Sequence, residues 1–143
     1  MKEVVYWIAD DGKRFYDKDE CINHELYLKR NKYADDLKLY DINADPLIID
    51  LEKDDGGLGA IYFIDIKTQE ALNYFRLIND TLCNYSAFYD IISPGKYFFP
   101  LGGDSLYSVE DENYNGYIGF YCDDVNTLFE YTKALEKFIN MED

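Results

Sequence analysis

Hydrophobic residues follow a strand-like pattern at the start of the chain. The apolar run VVYWI occupies residues 4–8, and the shorter run RFY follows Asp11-Gly12. An Asp-Gly pair between two runs of strand-forming residues is a strong short-range signal of a β-hairpin with a two-residue turn. The pattern therefore predicts a hairpin at the N-terminus.

A helical spacing begins directly after this hairpin. Asp17 and Glu20 stand three residues apart, as in a capping box, in which the two side chains satisfy N–H groups of the first turn. We expect a helix from Lys18 to Tyr33. The apolar residues expected to form its buried stripe are Cys21, Ile22, Leu26 and Leu28.

The middle of the chain reads as strands followed by an amphipathic helix. Short strands are predicted in residues 37–42, 47–51 and 60–66, with a glycine-rich turn before the third. Thr68 is placed to cap the helix that follows. Its apolar residues recur at helical spacing: Ala71, Phe75, Ile78 and Leu82.

The C-terminal part repeats this order. Residues 93–100 are predicted as a turn that leads into a short aromatic strand bounded by Pro100. A second hairpin pairs residues 105–109 with residues 117–122 across the acidic loop EDENYNG. Asp123 or Asp124 caps the last helix. Its apolar face is predicted as Val125, Leu128, Thr132, Leu135 and Ile139, with Phe129 and Phe138 beside it.

These elements predict an α+β fold. When Gly59 is aligned with Gly116, both segments read as a strand followed by an amphipathic helix of the same phase. We expect an N-terminal hairpin and helix and then two strand-helix units, with about three helices covering one face of a largely antiparallel sheet. The 143 residues suit a single domain.

Charge divides this domain into two parts. Residues 1–34 carry seven acidic and seven basic side chains, so the whole net charge of −15 lies in residues 35–143. We interpret residues 1–34 as a neutral hairpin-helix subunit and residues 35–143 as an acidic body. Such a field repels nucleic acid and membranes and attracts basic partners.

Composition bounds the class of protein. Hydrophobic residues make up 48% of the chain, which includes 15 Tyr and 9 Phe, so the sequence is that of a folded protein. No apolar run is long enough for a membrane span or a signal peptide, so a cytoplasmic protein is expected. Cys21, Cys83 and Cys122 are read as reduced thiols, and we predict no metal site and no cofactor.

Three patterns in the sequence allow a catalytic or metal-binding interpretation as well as a structural one. Asp50, Asp65 and Lys67 have the spacing of a metal-dependent nuclease motif, in which two carboxylates hold Mg²⁺ and the lysine activates water. The acidic run at residues 50–57 lacks the glycine and the final glutamate of a calcium loop. Cys21 and His24 lie at helical spacing but without an orienting third group. The structural interpretation is favoured for each, so we predict a non-enzyme.

The aromatic residues of the second half exceed what a core of this size needs. Tyrosine suits an interface that is apolar on one side and wet on the other, and it also favours strands. A binding surface and sheet-face packing therefore both remain open. The residues concerned are Tyr85, Phe88, Tyr89, Tyr97, Phe98, Phe99, Tyr107, Tyr114, Tyr117 and Tyr121.

The segment YWIADDGKRFYDKDECINHE, residues 6–25, resembles the opening of many small bacteriophage and mobile-element proteins. The later segments TQEALNYF and ISPGKYFF are similar to that group as well. Small acidic phage proteins of this kind are similar in character to anti-CRISPR and other anti-defence inhibitors. The resemblance implies a protein of the host bacterial cytosol that occupies the basic nucleic-acid channel of a CRISPR effector nuclease.

We therefore predict a phage-encoded inhibitor with an acidic, tyrosine-rich surface that mimics nucleic acid and binds a basic nucleic-acid-processing host protein. Direct binding of nucleic acid or membrane is not expected, and a homodimer is possible. A small metal-dependent nuclease and a phage structural or homo-oligomeric adaptor are the alternatives. The predicted partner-binding residues are Asp54, Asp55, Asp104, Glu110, Asp111, Glu112, Tyr114, Asp123 and Asp124.

Overall fold

A computed structural model describes residues 3–30, 32–48, 58–101, 105–110 and 124–141. In these ranges the chain forms three α-helices, a two-stranded sheet and a five-stranded sheet, with every strand pair antiparallel. The α+β class is confirmed. The fold divides into two compact units, Met1–Ala34 and Asp35–Asp143.

The first unit begins with a hairpin of β1 (Trp7–Ile8) and β2 (Arg14–Phe15). The N–H of Gly12 donates to the Ala9 carbonyl at 2.8 Å, and the N–H of Ala9 donates to the Lys13 carbonyl at 2.9 Å. Gly12 alone in this loop has a positive φ, +88°. The loop therefore contains three residues, and the predicted two-residue turn is wrong.

Helix α1 (Lys18–Arg30) follows the hairpin. The Asp17 carboxylate accepts a hydrogen bond from the Asp19 N–H at 2.8 Å, which satisfies one amide of the first turn. Cys21 and Leu26 are buried, whereas Leu28 is exposed. Leu28 lies two residues beyond Leu26, about 200° around the helix, and therefore points away from the buried stripe.

The second unit is built on the five-stranded sheet, whose strand order is β4-β3-β5-β6-β7. Its central strand, β5, is buried along its whole length. Strand β4 ends at Leu47 in the described ranges, and residues 49–51 of the expected strand lie outside them. The strands are β3 (Leu37–Tyr40), β4 (Pro46–Leu47), β5 (Phe63–Ile66), β6 (Gly95–Phe98) and β7 (Tyr107–Ser108).

Helix α2 (Gln69–Ile78) begins at Thr68, as predicted, because the Thr68 hydroxyl accepts a hydrogen bond from the Ala71 N–H at 3.1 Å. The helix continues into one wider turn, Asn79–Cys83, and then a 3₁₀ turn, Ser86–Asp90. Helix α3 (Val125–Ile139) is capped by Asp124. The second strand of the predicted C-terminal hairpin, residues 117–122, lies outside the described ranges.

Helices α2 and α3 pack on opposite faces of this sheet. The ring of Phe63 lies 5.1 Å from that of Phe138 on α3, measured between centroids. Ile64 and Ile66 point to the other face, because side chains alternate along a strand, and they are buried on the side of α2. This differs from the expectation of helices on one face. Three of the four residues of β5 are apolar, and they lie on both faces of the strand, so it needs cover on both sides.

The buried stripe of α3 is rotated from the predicted one. Val125 is 78% exposed, whereas Tyr131, Leu135 and Phe138 are buried against the sheet. Large aromatic side chains cover more apolar area than Val125 and determine which side of the helix faces inward. None of the helices in the described ranges combines the length and the hydropathy needed to cross a bilayer.

Candidate partner-binding surface

Two of the nine predicted partner-binding residues fall within the described ranges. Glu110 follows β7 and is exposed, and its N–H donates to the Ser108 hydroxyl at 3.1 Å. Asp124 precedes α3 and is also exposed. The other seven lie outside the described ranges, and their role stays a prediction: Asp54, Asp55, Asp104, Asp111, Glu112, Tyr114 and Asp123.

Asp124 has a structural role in addition to its charge. One carboxylate oxygen accepts hydrogen bonds from the N–H groups of Asn126 at 3.0 Å and Thr127 at 3.4 Å, and the other accepts from the Thr127 hydroxyl at 3.0 Å. These bonds, the hydroxyl first, hold the pKa of the Asp124 carboxyl below its ordinary value. The negative charge therefore persists at the N-terminal end of α3, where the helix dipole favours it.

A cleft lies beside this helix end. Its volume is about 280 Å³, and it separates the turn between β3 and β4 from the first half of α3. We call it the α3 cleft. Its lining residues are Ile42, Asn43, Asn126, Thr127, Glu130 and Tyr131. Asp124 is bonded to the backbone of two of them, so its carboxylate lies at the cleft's edge.

The turn that forms one wall of the α3 cleft is itself acidic. The Asp41 carboxylate accepts hydrogen bonds from the N–H groups of Asn43 at 2.8 Å and Asp45 at 3.1 Å. This Asx-type turn is completed by Ala44, which has a φ of +60° and is fully buried. This turn is not among the features predicted from the sequence, although the pattern D-x-N-x-D is typical of such local side-chain bonding.

Local lysines only weakly neutralise the carboxylates around the α3 cleft. Lys137 lies 3.4 Å from Asp45, and Lys133 lies 3.9 Å from Glu130. All four side chains are more than half exposed, and ion pairs of this kind contribute little free energy in water. A lysine or arginine from another protein could replace either lysine at low cost, because carboxylates accept charge-assisted hydrogen bonds from both.

A second surface combines tyrosine with carboxylate. The Tyr89 hydroxyl donates to the Asp80 carboxylate at 2.5 Å and lies 3.0 Å from the side-chain oxygen of Asn84. The bond to Asp80 is the largest cause of a raised pKa for the Tyr89 phenol. Tyr85 and Tyr89 are both exposed. We call this set the tyrosine corner; it consists of Asp80, Asn84, Tyr85 and Tyr89.

The buried side chain of Asn79 supports the tyrosine corner through hydrogen bonds to the Tyr85 backbone. This side chain is fully buried; it donates to the Tyr85 carbonyl at 3.1 Å and accepts from the Tyr85 N–H at 2.9 Å. Asn84 follows with a φ of +54°, which reverses the chain after the helix. Asn84, an asparagine just after a helix, was the sequence feature that could have indicated this corner. Asp80 gave no such indication because it lies on a helical segment.

The aromatic residues singled out from the sequence divide between core and surface. Tyr85 and Tyr89 are exposed, Phe88 and Phe98 are buried, and three others are half-buried: Tyr97, Phe99 and Tyr107. The buried pair fits the packing interpretation, whereas for the exposed pair, which belongs to the tyrosine corner, a binding surface stays a prediction. Tyr114, Tyr117 and Tyr121 lie outside those ranges.

The nuclease-like pattern is described only at Asp65 and Lys67, because Asp50 lies outside the described ranges. Asp65 is 8% exposed and stands opposite Lys38 and Lys96 on neighbouring strands. A carboxylate between two lysines in the middle of a sheet fits electrostatic pairing across strands. Nowhere in the described ranges do three His, Cys, Asp or Glu side chains come together as metal ligands.

The Cys21 and His24 pattern lies in the first unit. The His24 Nε2 donates to the Asp11 carboxylate at 2.7 Å, and the His24 ring packs 5.1 Å from that of Phe15. The hydrogen bond from His24 is the main cause of a lowered pKa for Asp11. Burial, aided by nearby acids, raises the pKa of the Cys21 thiol. A thiol in that state is a poor nucleophile.

Comparison of the chain with protein-family models, with curated proteins and with solved structures found no match.

Proposed function

We propose that this chain is a phage-encoded, non-enzymatic anti-defence protein that binds and inhibits a CRISPR effector nuclease. The acidic second unit carries the binding surface and mimics the charge of nucleic acid. The α3 cleft and the tyrosine corner belong to this surface, together with the acidic residues predicted from the sequence. The partner is a basic host protein that processes nucleic acid, and the place of action is the host cytosol.

The observation that carries this proposal is the distribution of charge between the two units. The first unit has equal numbers of acidic and basic side chains, and the second unit holds the net charge of −15. Folding alone does not require such an imbalance, because self-repulsion destabilises a compact unit. Binding to basic surfaces of another protein accounts for this imbalance of charge.

The physical basis is competition for a cationic channel. Duplex DNA presents one negative charge per about 1.7 Å of its axis, and enzymes that act on it line their channels with lysine and arginine. Carboxylates at Asp41, Asp45 and Glu130 offer acceptors for those side chains at and beside the α3 cleft. Exposed tyrosines add contact area at a low cost in side-chain entropy.

The test is salt-dependent binding of the purified chain to purified CRISPR effectors, combined with charge reversal. The double variant Glu110→Lys/Glu112→Lys should weaken binding at least tenfold. The control Asp10→Lys/Asp19→Lys changes the net charge equally but in the neutral first unit, and it should bind within about twofold of the parent chain. Binding by the parent chain should weaken strongly with added salt, because exposed charges are screened over about 8 Å at physiological ionic strength.

Three results would contradict the proposal. The first is a salt-insensitive affinity, and the second is equal weakening by both double variants, which would show a dependence on total charge alone. The third is cleavage of nucleic acid by the purified chain with Mg²⁺ or Mn²⁺ that is lost in Asp65→Ala, since that outcome belongs to a nuclease. Circular dichroism of each variant checks that the fold is retained.

A further inference from the structure

The first unit presents apolar side chains to solvent along strand β1 and the three residues that precede it. Val4, Val5 and Ile8 are 65%, 67% and 57% exposed, and Tyr6 and Trp7 between them are also exposed. We call residues 4–8 the β1 edge. Single exposed apolar residues are common on protein surfaces, but a continuous exposed apolar run is typical of an interaction site.

The backbone of the β1 edge is arranged to accept another strand. The N–H of Ala9 donates to the carbonyl of Lys13, the residue before β2, and two residues earlier Trp7 pairs with Phe15 of β2. In an antiparallel pair, successive residues point their N–H and C=O groups to opposite sides, so those of Tyr6 and Ile8 point away from β2. Strand β1 pairs only with β2 in the described ranges. A two-stranded hairpin is marginally stable alone and gains from a third strand.

The distribution of charge between the two units favours one kind of partner for the β1 edge. A basic partner is drawn to the second unit, because that unit carries the net charge. The first unit is neutral, so it is the part through which two copies of an acidic chain can meet with the least repulsion. We propose that the β1 edge pairs with the β1 edge of a second copy, antiparallel across a two-fold axis.

The sequence of the β1 edge is self-complementary in one register. With Tyr6 opposite the second copy's Tyr6, Val4 faces the second copy's Ile8, and Val5 faces the second copy's Trp7. Pairs of aromatic and β-branched residues directly opposite each other stabilise antiparallel strands. The same register places Glu3 opposite Ala9, whereas shifting it by two residues toward the turn would place Glu3 opposite Asp11. A two-fold axis then uses the same surface on both copies.

The experiment is sedimentation equilibrium of the full chain over a range of concentrations, without any effector present. We expect a monomer-dimer equilibrium whose upper mass is twice that of the 16.8 kDa chain. Tyr6→Pro removes an outward N–H at the centre of the register while leaving the bonds to β2, and it should raise the dimer dissociation constant at least tenfold. Val5→Lys should also raise it, whereas the control Ile92→Lys, at an apolar residue exposed to 78% in the second unit, should leave it within about twofold.

Salt separates this contact from the proposed binding of an effector. Added salt screens the repulsion between two chains of charge −15, so the dimer should become tighter as salt increases. A monomer at every concentration up to about 1 mM, the range of the weakest specific complexes, would overturn the inference. A dimer that Tyr6→Pro and Val5→Lys leave unchanged, or that salt dissociates, would overturn it as well.

Discussion

The ammonium group of Lys96, on β6, donates a hydrogen bond to the carbonyl oxygen of Phe138, in the last turn of α3, at 3.0 Å. The same nitrogen donates to the carbonyls of Ile139 at 3.3 Å and Met141 at 3.0 Å. A helix ends with carbonyl groups that have no partner within the helix, and its C-terminal end favours positive charge. Lys96 satisfies both requirements and thereby fastens α3 to the sheet.

Removal of the Lys96 charge should therefore destabilise the second unit. Lys96→Met keeps the length of the side chain but leaves these carbonyls without their donor. Hydrogen bonds to charged groups contribute roughly 1.5–3 kcal/mol each, and we expect a loss of about that size in the free energy of unfolding. Urea unfolding measures it. Lys133→Met is the matched control, because its exposed pair with Glu130 should contribute below about 1 kcal/mol; equal losses in the two variants would contradict this role for Lys96.

The cap at Asp124 predicts a pH dependence of stability. Because the pKa of Asp124 is lower in the folded chain than in the unfolded one, its contribution is complete above the unfolded pKa, about 4, and is lost as the pH falls through the folded pKa. Asp124→Ala should lower the thermal midpoint at neutral pH, and the difference from the parent chain should shrink in acid. Thermal unfolding at about pH 7 and about pH 2.5 measures both.

Asp124→Asn is the control for this effect, because asparagine caps helices about as well as aspartate but does not titrate. The thermal midpoint of Asp124→Asn should stay near that of the parent chain at neutral pH. It should exceed the midpoint of Asp124→Ala at both pH values. A difference between the parent chain and Asp124→Ala that does not change with pH would show that the carboxylate charge contributes nothing to the cap.

Local features of this fold were predictable from sequence because neighbouring residues determine them. Thr68 caps α2 as expected, and of the two candidates for α3, Asp123 and Asp124, the cap is Asp124; an N-cap needs only a short polar side chain two or three residues before an amide. The hairpin was predicted as well. Its loop length was not, because Asp11-Gly12 serves both a two-residue turn and a three-residue loop in which glycine alone takes the positive φ.

Long-range features were less predictable. The apolar stripes of α2 and α3 show that each helix buries one side, but they do not say which face of the sheet each one covers. The contact of Lys96 with α3 joins residues more than forty positions apart, and no local sequence pattern predicts it. At the candidate surface, the cap pattern indicated Asp123 or Asp124 and could not choose between these neighbours. The α3 cleft was missed because it forms only when the turn after β3 meets α3.

The loop of the first hairpin gives a third prediction. Gly12 has a φ of +88°, and a Cβ built there meets nothing within 4 Å, so any cost of adding one is conformational and not steric. Gly12→Ala should destabilise the hairpin by roughly 1–2 kcal/mol, whereas Gly12→Asn should cost less, because asparagine visits this region more readily. Exchange of the Ala9 amide, which is bonded to Lys13, reports the opening of the hairpin. Equal exchange in the two variants would contradict a conformational cause.

The last prediction concerns the buried side chain that supports the tyrosine corner. Asn79→Ala removes both hydrogen bonds to Tyr85 and leaves that backbone without its buried partner, which should cost roughly 1–3 kcal/mol in urea unfolding. The NMR signals of the Tyr89 ring should shift at the same time, because its bond to Asp80 depends on how the chain turns between them. Asn73→Ala, on the exposed side of α2, is the control and should change stability by less than about 0.5 kcal/mol. If Asn79→Ala loses stability but the Tyr89 signals do not shift, the tyrosine corner does not depend on Asn79, and the prediction is contradicted.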